Sequence, residues 1–170
     1  MTKKAFTLTE LIVITALLSI MTVVIAVVFL TGLKAWSSGL NRTGIREEGS
    51  IAMERMMRDL SQASNITAAT AATITFTADV DNDSVNETVT FSRDVDNNLI
   101  RTVDGSAITL TPNAQALAFS YTDLNNTSIV PASQADRDTI RVVTMALTMS
   151  KSGETYTLSS SAYTRNQALP

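Results

Sequence analysis

The sequence predicts an α+β protein in which one long N-terminal helix is followed by a mainly antiparallel β-sheet. Three observations carry that expectation. Residues 11–33 contain no charged side chain, a Met-rich stripe at helical spacing follows near residues 53–64, and from Ala72 onward Thr, Val, Ile, Phe and Tyr recur in short alternating runs.

The uncharged stretch LIVITALLSIMTVVIAVVFLTGL covers 23 residues. At 1.5 Å per residue it forms a helix of roughly 34 Å, enough for a hydrocarbon core of about 30 Å. A soluble core helix would carry a polar face, whereas the polar side chains here are Thr15, Ser19, Thr22 and Thr31, all able to bond back to their own helix. The stretch is therefore expected to span a membrane and contact lipid. Lys3 and Lys4 precede it in a short tail without an acid, which favours a cytoplasmic N-terminus and an outward C-terminal region.

In residues 50–66, Met53, Met56, Met57, Leu60 and Ser64 fall on one helix face, with Glu54, Arg55, Arg58 and Asp59 off it. A Met stripe of this kind is core, or a promiscuous binding face. No Pro occurs before Pro112, so a single helix from about residue 6 to 65 is expected, with Gly32, Gly39, Gly44 and Gly49 as candidate points of bending. Strands are expected at 73–78, 87–92, 98–103, 115–123, 139–150 and 155–164, with turns at Asp104-Gly105, Asn125-Asn126 and Ser152-Gly153.

Composition excludes most catalytic chemistry. The 170 residues include no His and no Cys, which removes Ser-His-Asp and Cys-His nucleophiles, thiol redox chemistry and disulfides. Structural zinc sites go with them. No phosphate loop, dinucleotide fingerprint or zinc-protease motif is present, so no enzyme and no required cofactor are expected. With 13 basic against 16 acidic residues the net charge is −3, and residues 79–104 carry seven acids against Arg93 and Arg101, which opposes direct nucleic-acid binding.

The N-terminal run Lys3-Lys4-Ala5-Phe6-Thr7-Leu8-Thr9-Glu10-Leu11-Ile12 sets a basic pair against an apolar stretch with one acid just inside it. An unpaired carboxylate entering a bilayer is costly, so Glu10 demands a partner. The apolar stretch is too long for a secretory signal peptide and no A-x-A site follows it. The run resembles the leader and cleavage site of the type IV pilin and type II secretion pseudopilin family, with Ala5 where the family has Gly. The resemblance implies a pilin-like fold and a prepilin peptidase that cuts between Ala5 and Phe6 and N-methylates Phe6. The segments would be a leader 1–5, a transmembrane and assembly helix 6–33, an amphipathic half 34–66 and a β-sheet outer domain 67–170. Glu10 would then pair with the Phe6 amine of a neighbouring subunit, fixing axial register while offsetting burial.

The run 53–60, MERMMRDL, the strand order and the ending Tyr163-Thr164-Arg165-Asn166 resemble minor pseudopilins of the J type and minor pilins of the W type. The implied role is a structural, non-catalytic subunit. Its partners would be prepilin peptidase, other pilin or pseudopilin subunits and an inner-membrane assembly platform, with the C-terminal domain periplasmic or extracellular. The alternative is an uncleaved single-span membrane protein whose outer β domain binds a ligand or partner.

One further cluster stands apart. Asp79, Asp81 and Asp83 alternate as in the first half of a calcium loop and Glu87 could close it, although Ser84 occupies the sixth place and Glu87 the ninth. These four are candidate calcium ligands; the same residues also suit a polar hairpin loop. In the segment 94–98 an Asx turn is sufficient.

Overall fold

A computed structural model describes residues 7–165, and the chain divides between Leu40 and Asn41 into two units. Among the described residues the first is helix from Leu8 onward, with almost every side chain exposed. The second holds a hydrophobic core of helix and strands. The α+β class, with its long N-terminal helix and antiparallel sheets, is as the sequence predicts and is consistent with a pilin-like architecture.

Helix α1 spans Leu8–Ser61 without interruption at its glycines. In its apolar half four hydroxyls bond back to the helix: Thr15 to the Ile12 carbonyl, Ser19 to Ala16, Thr22 to Leu18 and Thr31 to Val27, at 2.8–2.9 Å. This half is long and apolar enough to cross a membrane. The glycines of the second half do different work. A Cβ at Gly44 would meet open space, whereas one at Gly49 would stand 2.7 Å from Met149 Sδ and 2.8 Å from Leu158 Cδ1. Gly49 therefore marks a close approach between helix and sheet and not a bend.

The buried face of α1 is Ile45, Gly49, Ala52, Met53, Met56, Asp59 and Leu60. The Met stripe is core, as read, except that Met57 is half-buried, and Asp59 lies inside with 1% exposure although its spacing put it off the stripe. The helix also ends earlier than expected. Gln62 and Ala63 donate to the carbonyls of Asp59 and Leu60 in a tighter final turn, and Ser64 then donates to Thr77. Strand formation wins here because Ile66, on β1 (Asn65–Ala69), is fully buried opposite Phe76.

Beyond β1 lie β2 (Ile74–Ala78), β3 (Glu87–Arg93), β4 (Leu99–Val103) and β5 (Ser106–Thr111), then β6 (Ala114–Thr122) and the short β7 (Ser128–Ile129). A five-residue helix α2 (Gln134–Asp138) precedes β8 (Val142–Lys151) and β9 (Glu154–Tyr163). Every pairing is antiparallel, in two sheets ordered β1-β2-β3-β4-β5 and β7-β6-β8-β9. Asp104-Gly105 and Ser152-Gly153 close two-residue hairpins with positive φ at both positions, as their residue types favour. The strand expected from 139 starts at Val142 because Ser133 and Asp136 form a capping box that initiates α2 just before it. Side chains alternate inward along β2 and β8, so Phe76 and Phe91 of the first sheet and Met145, Leu147 and Met149 of the second join Met56 and Leu60 in one core.

Candidate functional site

The N-terminal site residues fall on both sides of the described boundary. Ala5 and Phe6 lie outside the described residues. Glu10 is exposed in the first turn of α1, and Thr7 is its local partner. The Thr7 amide and hydroxyl each donate to Glu10 Oε2 at 2.9 Å, while the Glu10 amide donates to Thr7 Oγ1 at 3.3 Å. This is a reciprocal capping box: a carboxylate near the positive end of a helix satisfies donors that would otherwise be unpaired. The pattern Thr7-x-x-Glu10 was the available sequence signal for it. Both bonds use Oε2, so Oε1 remains able to accept from another group.

The acidic loop brings together three of its four candidate ligands. Asp79, Asp81 and Glu87 each place a carboxylate oxygen within 4.8 Å of the others; Asp83 is not in that group, and its Oδ1 accepts from the Val85 amide at 2.7 Å. The loop also closes on its own amides. Asp79 accepts from Asn82, Asp83 and Ser84, Asp81 accepts from Asp83, and Glu87 accepts from Val80. Asn82 and Ser84 both have positive φ, a conformation the Asp79 carboxylate holds in place. Three oxygens of this kind suit a hard cation such as calcium, and the hydrogen bonds suit a turn. The 94–98 loop is the Asx turn expected: Asp94 accepts from the amides of Asp96 and Asn98, and the Asn98 bonds hold its carboxyl below the ordinary carboxylate range.

A buried ionic cluster escaped the sequence reading altogether. Asp59 Oδ2 accepts from Arg101 Nε at 2.6 Å, and Asp59 Oδ1 forms an ion pair with Arg55, whose Nε lies 3.1 Å away. Arg101 sits on β4, 42 residues from Asp59, and its side chain is only 7% exposed. Its Nη2 is buried and has no hydrogen-bond partner. Elsewhere, Tyr121 on β6 donates its hydroxyl to the carbonyl of Thr70, the residue after β1, at 2.6 Å, and burial pushes that phenol well above its usual range.

No protein-family model matches the chain, and no curated protein matches it.

Proposed function

We infer that this chain is a structural, non-catalytic subunit of a filament of the type IV pilus or type II secretion kind, a minor pilin or pseudopilin. It is held in the inner membrane by the first half of α1, N-terminus inside, with the sheet domain outside. The observation that carries the reading is a helix of 54 residues whose first half buries none of its apolar side chains and carries one carboxylate at its start. Those side chains need either lipid or the same helix of other subunits to cover them. Trp36, 71% exposed and two residues beyond Lys34, suits the headgroup boundary where such a helix leaves the membrane. Glu10 Oε1 would then accept from the Phe6 amine that cleavage creates on a neighbour.

The deciding experiment is coexpression with a prepilin peptidase followed by Edman sequencing. The expected N-terminus is N-methylated Phe6, and Glu10→Gln should be processed and inserted normally yet incorporated poorly into filaments. A chain that still begins at Met1 would instead support an uncleaved single-span anchor. That second reading is favoured by the capping box, which gives Glu10 a local task that needs no neighbouring subunit.

A further inference from the structure

Between the α1 turn at residues 51–58 and the edge strand β5 lies a cleft of about 460 Å³, a size suited to a short peptide or small ligand. Arg101, Ile108 and Leu110 line it from the sheet; Ile51, Arg55 and Arg58 line it from the helix. Arg101 and Ile108 are cross-strand partners and so share a face. Two large apolar side chains are left open to water here, Ile51 at 61% and Ile108 at 55% exposure.

Three guanidinium groups stand on this apolar strip. Against them are Glu54 at the rim and Asp59 behind, which leaves a net charge of 3 − 2 = +1. Asp59 accepts from Arg101 Nε and pairs ionically with Arg55. The buried Arg101 Nη2 is unpartnered, and the exposed Arg58 side chain has no hydrogen bond or ion pair among the described residues. Arg101 lines the cleft with its Nε engaged and its buried Nη2 unpartnered, so its guanidinium has donor capacity left over, half of a carboxylate-binding arrangement. The outer edge of β5 is also unpaired among the described residues, leaving backbone donors and acceptors beside the cleft.

We propose that this cleft binds an extended segment of a partner protein that carries an Asp or Glu side chain among apolar residues. Its backbone adds along β5, its apolar side chains cover Ile51 and Ile108, and its carboxylate meets Arg101 and Arg58. The charge of the cleft selects an acidic segment, and the open strand edge selects a peptide over a free small acid. The proposal does not depend on how the N-terminus is processed, so either can fail alone.

The test pans a random heptapeptide library over the full chain in detergent micelles, with the Arg58→Glu chain as counter-selection. Arg58 is exposed and its side chain has no partner among the described residues, so this variant should stay folded, its melting temperature lowered only slightly by an acid in the last helical turn. Enriched peptides should hold an Asp or Glu flanked by apolar residues. The best of them, labelled for fluorescence anisotropy, should lose about tenfold or more in affinity when its acid is changed to the amide or when Arg58→Glu is used. Ile108→Asp, on the exposed side of β5, should abolish binding. The proposal is overturned by a library that yields no acidic consensus, by equal affinity of the acid and amide peptides, or by full competition from millimolar acetate. Self-association of the unliganded chain that Arg58→Glu abolishes would also overturn it, by assigning the cleft to a second copy.

Discussion

Residues 8–33 and 41–61 belong to one helix, but the first stretch has a single charged residue, Glu10, and no buried side chain, while the second has eight charged residues and buries a stripe from Ile45 to Leu60. Helical periodicity is the same in both. What separates them is where polar groups find partners. In the first stretch the hydroxyls of Thr15, Ser19, Thr22 and Thr31 return to their own backbone, so they lose nothing when water is replaced by an apolar surrounding. In the second, charges reach strands far along the chain: Arg42 meets Glu154 at 2.6 Å, the Arg46 guanidinium lies 4.9 Å from the centre of the Tyr156 ring, and Asp59 meets Arg101. The first half is built to be covered by something apolar, and the second to hold a sheet.

The sharpest break in that comparison is Asp59→Ala. It strands the Arg101 guanidinium inside the protein, and removing one partner of a buried ion pair costs about 3–5 kcal/mol. The measurement is denaturant unfolding of a fragment that begins at Asn41, since Ile45 and the Arg42–Glu154 pair belong to the same unit. Leu18→Ala in the full chain, an equally apolar helix position but one 63% exposed, should leave the unfolding of that unit unchanged. A similar loss from both would refute the division between the halves.

A second comparison uses one substitution at two glycines of the same helix. Gly44→Ala adds a methyl group to open space and should stabilise by about 1 kcal/mol through helix propensity. Gly49→Ala drives that group into Met149 and Leu158 and should cost about 1–3 kcal/mol through overpacking. Melting temperatures that move in opposite directions confirm that Gly49 is a contact point. Two small increases would mean the sheet can move away.

Much of this was legible in the residue pattern, because local rules decide it. The self-bonded hydroxyls, the Met stripe and the Asp-Gly and Ser-Gly hairpins each need only residues close in sequence. What was missed needed the register. Asp59 is polar at a core position, and only the pairing of β3 with β4 puts Arg101 beneath it. Strand β1 was hidden because the apolar spacing of the helix runs on through Ile66. Strand β5, SAITLT, is exposed on four consecutive residues and so lacks the alternation that marks a half-buried strand. The cleft between β5 and α1 was out of reach for the same reason, since Arg101, Arg55 and Ile108 meet only after the sheet is assembled.

The smallest effect belongs to the acidic loop, exposed like the first half of the helix yet rich in charge. Asp79 uses both carboxylate oxygens, Oδ1 for the amides of Asn82 and Asp83 and Oδ2 for that of Ser84. Asn at this position keeps one acceptor and turns the other into a donor facing the Ser84 amide. Asp79→Asn should therefore cost about 1 kcal/mol. Asp81 uses only Oδ1, for the Asp83 amide at 3.2 Å, and Asn supplies that acceptor equally well, so Asp81→Asn should be neutral. That neutrality makes Asp81 the residue with which to test calcium, because the substitution removes a charged ligand without disturbing the turn. If the three carboxylates bind calcium with a millimolar dissociation constant, about 10 mM of the ion stabilises the fragment by about 1.4 kcal/mol, and Asp81→Asn abolishes most of that gain. A melting temperature indifferent to calcium in both proteins assigns Asp79, Asp81 and Glu87 to closing the turn through backbone amides, with Asp79 alone carrying a measurable share of the stability.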